Sequence, residues 1–341
     1  MASVRSIATS EEFAQGYNAG LNLVGTADDD ELYGSAGQDK LHGGGGDDRL
    51  YGGTDHDELY GDAGDDRLYG GSGLDLLVGG SGADRLVGGS DADTLIDGDE
   101  GDVLIGGSGD DHYRISGPVE LVEGESGGRD TIYAIELELL RLPEHFEDII
   151  MHDTRVAYGN DADNRITPED EFDATITDYS LYGLGGNDLL YGASGDNRLE
   201  GGSGNDSLVG AAGDDTLIGG DGDDRLEGGN DRDRLSGGDG QDVFAYGWSD
   251  ESGPSADTRD RITDFEPGDD RIDLQRVDAN RATPDDDAFG VLLDADDAFS
   301  EPGQLRFADG VLYGNVDDDA QAELAIELTG IETLQWQDLV T

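Results

Sequence analysis

The sequence predicts an all-β protein: two parallel β-roll arrays joined by a β-rich spacer, with a mostly β C-terminal capping domain. Three observations predict it. A nine-residue frame runs without insertion from Gly25 to Arg114 and returns from Gly183 to Ala245. Each unit, such as "GGSGADRLV", is glycine-rich early and carries a large apolar residue at its eighth position. Its sixth position is Asp in nearly every copy. Nine residues cannot make a globular element, so the unit must be one edge of a coil, and periodicity of this kind dictates the architecture.

Taken in order, residues 1–24 are an N-terminal lead, 25–114 the first roll, 115–158 the spacer, 159–245 the second roll and 246–341 the cap. Within a unit, the first six positions read as a turn and the last three as a short strand. Strand side chains alternate, so position eight points inward, and Leu50, Leu68 and Leu86 form a thin ladder. Two units close a coil, and coils stack at roughly 4.8 Å. Glycine at positions one, two and four permits positive φ. Where position four is not Gly it is Asp28, Asp55, Asp91 or Asp231, a residue type that tolerates the left-handed region. Asp97 at position one and Glu100 at position four mark the weakest copy. "GNDADNRI" (159–166) reads as a degenerate unit ahead of the second array. The spacer shows β-branched alternation, and the cap holds Trp248, Phe265, Phe289, Phe307 and Trp336, enough aromatics for a small conventional core.

The candidate ligands are the position-six residues. In the first array they are Asp30, Asp39, Asp48, Asp57, Asp66, Asp75, Asp84, Asp93, Asp102 and Asp111; in the second, Asp188, Asn197, Asp206, Asp215, Asp224, Asp233 and Asp242. One turn offers a single carboxylate, whereas calcium takes six to eight oxygens. Two stacked turns supply two carboxylates and the carbonyls that glycine leaves uncovered, so calcium bridges coils. The paired aspartates are then 18 apart, as Asp48 with Asp66 or Asp206 with Asp224. Magnesium prefers a tighter octahedron with water, and zinc or copper wants His or Cys at regular positions.

Composition narrows the partners. With 81 acidic against 20 basic residues the formal net charge is −61, which repels nucleic acid and anionic membrane. No run is long enough to span a bilayer, and the absence of cysteine excludes a disulfide scaffold. "HFEDIIMH" offers His145, Glu147 and His152, but its spacing is not that of a zinc helix. The glycine runs lack the Lys of a phosphate loop. Position nine gives Tyr33, Tyr51 and Tyr69, an outward stack, and the scarce cations Lys40, Arg49, Arg67, Arg85, Arg198, Arg225 and Arg234 occupy position seven.

The frame resembles the G-G-x-G-x-D-x-U-x nonapeptide of the RTX, or haemolysin-type, calcium-binding proteins. The region from "DVFAYGWSDESGPSADTRDRITDFEPGDDRIDL" onward resembles the C-terminal domain of serralysin-type secreted proteins, and "QDLVT" resembles the acidic-then-apolar end of their export signal, apart from Thr341. The resemblance implies a parallel β-roll with calcium in its turns, export from a Gram-negative cell by type I secretion machinery, and an extracellular location. Ala320 stands in "VDDDAQAEL" where that family often has glycine, so no separate metal site is expected there. The expected function is that of a monomeric, non-enzymatic secreted calcium-binding protein, since about 24 residues precede the array. An accessory module that binds polysaccharide or a cell surface in calcium is the alternative, and an enzyme site within 246–341 is a third reading. At about ten times the dissociation constant each ion adds about 1.4 kcal/mol, so ten ions contribute on the order of 14 kcal/mol, the stability of an ordinary domain. The metal-free chain is expected to be disordered.

Overall fold

The computed structural model describes residues 20–99, 101–124, 127–169, 178–248, 251–281 and 287–341. The chain divides into two compact units, Met1–Thr154 and Arg155–Thr341. Among the described residues every regular element is a strand, apart from a single 3-10 turn at Trp336–Asp338.

In the first unit successive repeats alternate between two parallel sheets. One holds Glu31–Ala36, Arg49–Thr54, Arg67–Ser72, Arg85–Ser90, Val103–Ser108 and Glu120–Val122; the other includes Lys40–Gly45, Glu58–Ala63, Leu76–Ser81, Thr94–Ile96, His112–Ile115, Thr131–Ile135 and Asp148–His152. Register follows the predicted coil, with Leu50 opposite Leu68 and Leu68 opposite Leu86. Every position-eight leucine from Leu32 to Leu104, and then Tyr113, is fully buried. Apolar burial is therefore confined to one residue per unit between two sheets. That is why so few large side chains suffice for the shape, and why the shape has so little hydrophobic driving force.

The division of each unit differs from the expectation. In most units the strand is six residues long, covering positions seven to nine and then one to three of the following unit, so the turn is positions four to six alone. Positive φ falls at positions two and four, as at Gly71 (121°), Gly82 (131°), Asp62 (71°) and Asp55 (74°). Position one is glycine for a different reason: it needs space. A Cβ on Gly52 would lie closer than 3.0 Å to both the Asp57 carboxylate and the Gly70 carbonyl of the adjoining coil. Where Asp97 takes that position the strand shrinks to Thr94–Ile96, which bears out the weak copy; Glu100 lies outside the described residues.

The second unit repeats the pattern. Ser180–Gly185, Arg198–Ser203, Thr216–Asp221, Arg234–Asp239 and Asp260–Ile262 stack on one side; Leu189–Tyr191, Ser207–Ala212, Arg225–Asn230, Val243–Ala245, Arg271–Asp273 and Leu339–Val340 stack on the other. Asp260–Ile262 then pairs with Leu324–Leu328, and Val311–Asn315 and Gln304–Ala308 continue antiparallel, giving a mixed sheet that caps the coil end. Phe244, Phe265 and Phe289 are buried there with Leu305, Leu312, Leu324 and Ile326. Trp248 and Trp336 are not part of that core, being 65% and 41% exposed. Aliphatic strands fill the place the tryptophans were expected to take.

Candidate calcium-binding turns

The position-six aspartates form continuous ladders along the turns. The backbone N–H of Asp30 donates to Oδ1 of Asp48 at 2.7 Å, Asp48 to Asp66 at 2.7 Å, and Asp66 to Asp84 at 2.8 Å. On the opposite edge Asp39, Asp57, Asp75, Asp93 and Asp111 are linked in the same way. In the second unit Asp188 donates to Asp206, Asp206 to Asp224, and Asn197 to Asp215. The predicted 18-residue pairing is thus present, made through a main-chain donor and a carboxylate. It spends only one oxygen of each side chain.

The other oxygen is the informative one. Oδ2 of Asp39, Asp48, Asp57, Asp66, Asp75, Asp84, Asp93 and Asp111, and of Asp188, Asp206, Asp215, Asp224, Asp233 and Asp242, is buried without a hydrogen-bond partner. An unpartnered buried carboxylate oxygen is costly, so its recurrence at fixed phase calls for a cation. Position-one glycines form the cradle. At Gly34, Gly43, Gly52, Gly61 and Gly70 the space a Cβ would take is flanked by that Oδ2 and by a glycine carbonyl from the adjoining coil, each closer than 3.0 Å. Both are hard oxygens, the donor type calcium takes.

Electrostatics agree with this assignment. Burial, with neighbouring aspartates adding to it, pushes Asp57, Asp66, Asp188 and Asp224 up to about 7 and Asp93 to about 8. Without a positive charge the fold resists ionising the very groups it lines up. Asp233 is raised by burial and by Asp260, whose Oδ1 accepts its N–H at 2.9 Å.

Not every predicted residue sits alike. Asp30 leaves Oδ1 rather than Oδ2 unpartnered, and its Oδ2 accepts from Thr26. Asp102 leaves neither free in this sense, since Gly98 donates to its Oδ2 at 3.2 Å. Asn197 places its amide nitrogen on the Gly195 carbonyl and its Oδ1 on the Tyr179 N–H, so it presents no second anionic oxygen. Sequence reasoning missed three rungs: Asp130, Asp260 and Asp270 accept from Asp111, Asp233 and Asp242, and their Asp-Thr-Ile and Asp-Arg-Ile tripeptides repeat positions six to eight of a unit without its glycine turn. It also missed a second ladder at position five, running the other way, in which Asp47 donates to Asp29 and Asp65 to Asp47.

The flat faces carry what the sequence placed there. Tyr33, Tyr51 and Tyr69 stack with centroids 4.9 and 5.0 Å apart. Arg49 and Arg67, two residues before Tyr51 and Tyr69, stand in register and exposed with Arg85 of the next strand; Glu31, two residues before Tyr33, lies opposite Arg49, and among the described residues no carboxylate forms an ion pair with the three arginines.

Stacked turns of carboxylate and glycine carbonyl define the class: a parallel β-roll of calcium-binding repeats. Residues 24–59, 42–77, 51–86 and 78–113 match the RTX calcium-binding nonapeptide repeat, and residues 178–341 match the C terminal of the peptidase M10 serralysins. The chain is an RTX, haemolysin-type repeat protein with a serralysin-like C-terminal region. No curated protein matches it. A solved structure, the AlgE6R3 subunit of the Azotobacter vinelandii mannuronan C5-epimerase, is 29% identical over 46% of this chain and 80% of that one, with a TM-score of 0.21. Among the described residues no helix is long and apolar enough to cross a membrane.

Proposed function

We propose that this is a secreted, non-enzymatic calcium-binding protein whose rolls are completed by external calcium after type I export. The single observation that carries the reading is the column of buried, unpartnered Oδ2 atoms. Calcium supplies the positive charge those atoms lack, and the position-six aspartates whose Oδ2 is unpartnered, with position-one glycine carbonyls, would hold it. Extracellular modules bind with dissociation constants of about 10⁻⁴–10⁻³ M, so the turns stay empty in the cytosol and fill outside. Export before folding fits the C-terminal end: Leu339–Val340 pairs with Arg271–Asp273, and both Asp338 oxygens accept main-chain N–H groups, from Gly268 and Gln335. An exporter reads that segment only while it is unpaired. Asp260 and Asp270, two of the four buried carboxylates among the described residues of the region where catalysis was considered, serve as ladder rungs, which supports a structural role for them. Limited proteolysis tests the reading. We expect rapid digestion in chelator and protected fragments covering residues 25–154 and 155–341 in millimolar calcium; equal digestion in both contradicts it.

A second reading is favoured by the Arg49, Arg67 and Arg85 column beside the tyrosine stack. Three unpaired cations in register, on a chain so acidic, suit a linear polyanion that also offers sugar faces for stacking. Calcium-dependent retention on a polyuronate gel, lost in the R49Q/R67Q/R85Q variant, is the expected result.

A further inference from the structure

Where the first array ends, a cluster forms that the nonapeptide does not describe. Carboxylate oxygens of Asp111, Glu123 and Asp130 lie within 4.8 Å of one another. Asp111 is the last position-six residue, whereas Glu123 and Asp130 belong to the spacer, outside the frame. Asp111 and Asp130 are fully buried, and Oδ2 of each has no hydrogen-bond partner. At Gly106 the space for a Cβ is flanked by Asp111 Oδ2, Glu123 Oε1 and the Tyr113 hydroxyl; at Gly127 it is flanked by Glu123 Oε2 at 2.8 Å and Asp130 Oδ2 at 3.0 Å. Glu123 is held in place by the Tyr113 hydroxyl and by the Gly106 N–H at 3.0 Å. Tyr113 replaces the leucine of every earlier unit, and its hydroxyl is what reaches this group.

We propose that Asp111, Glu123 and Asp130 form a separate calcium site that fastens the spacer to the end of the first roll. Three carboxylates confined to this space need a cation to ionise together. The donors are all oxygen, which disfavours zinc and copper. Two ligands of one ion can be no farther apart than twice the metal–oxygen distance, about 4.6–5.2 Å for calcium and about 4.0–4.2 Å for magnesium. All three carboxylates fall inside the span that one calcium ion allows. A repeat turn supplies one carboxylate per coil edge, and this site gathers three. Since ligand charge tunes calcium affinity, it fills before the repeats do. The proposal takes the ion's identity from the reading of the repeats and shares Asp111 with them, but Glu123 and Asp130 lie outside the repeat frame.

The test is calcium stoichiometry by equilibrium dialysis on the full chain, together with terbium luminescence excited through tyrosine. Wild type should show a tight ion ahead of a weaker, larger class. E123Q should lose that ion or weaken it at least tenfold while keeping the weaker class; D66N should keep the tight ion and lose part of the weaker class. Y113F leaves all three carboxylates and should retain the tight calcium ion while the first bound terbium loses most of its sensitised emission. Undiminished tight binding in E123Q, or unchanged terbium emission in Y113F, overturns the site alone. A wild type that takes up no calcium overturns the reading of the repeats with it.

Discussion

At the scale of the residue, the two oxygens of one carboxylate have separate duties. In Asp66, Oδ1 accepts the Asp48 N–H and Oδ2 is left for a cation. D66N keeps the acceptor and replaces the free oxygen with an N–H donor. We expect a metal-free chain like wild type and a calcium titration in which about 1.4 kcal/mol of stabilisation, the share of one ion at ten times its dissociation constant, is missing; calorimetry and the calcium midpoint of the far-UV signal check this. Gly52→Ala acts on the same cradle from the other side. Its methyl meets the backbone carbonyl of Gly70, which cannot swing away as a side-chain end could, so a loss of about 1–3 kcal/mol is expected in calcium-dependent unfolding. Most of these residues were legible, because Asp48 and its equivalents recur at one phase. Asp130, Asp260 and Asp270 were not, because loops of irregular length separate them from the frame and only their local tripeptide survives.

At the scale of the element, the six-residue strand explains what glycine does in it. Position one lets coils approach, position two turns the chain with positive φ, and position four closes the corner. Composition alone showed glycine at all three places without separating these duties, which depend on the next coil. The inward leucines and the outward tyrosines were legible from alternation. The facing of arginine by arginine was legible too, since position seven recurs every 18 residues and register sets Arg49 against Arg67. Like charges opposite one another weaken a sheet. R49Q/R67Q/R85Q should therefore fold in calcium at least as well as wild type, with an equal or higher melting temperature, whatever it does to polyanion binding.

At the scale of the molecule, the ladders make metal and acid alternatives. Two like charges at the roughly 4.8 Å spacing of neighbouring strands repel by about 3–4 kcal/mol at an effective dielectric of about 20. Relief comes from calcium or from protons. The folded-state values of Asp57, Asp66 and Asp93, about 7 to 8, lie above the ordinary 3.8, so the native state binds the extra protons. Their contribution is fully present below about pH 4 and is lost as pH rises toward 8. In metal-free buffer the chain should hold more β structure at pH 4.5 than at pH 7.5, and calcium should remove that difference. Circular dichroism across that range checks the sign. Overall class, period and the mostly β cap were legible in the sequence, the first two because a repeat transmits its local rule to the whole; the antiparallel pairing within Gln304–Leu328 was not, because that segment has no period.

The central claim is that ions, more than apolar burial, hold the coils together. Far-UV circular dichroism of the full chain at pH 7.5, first in EGTA and then in millimolar calcium, addresses it most directly. A β spectrum that appears cooperatively with calcium is the predicted result. A β spectrum of equal strength in EGTA contradicts the account.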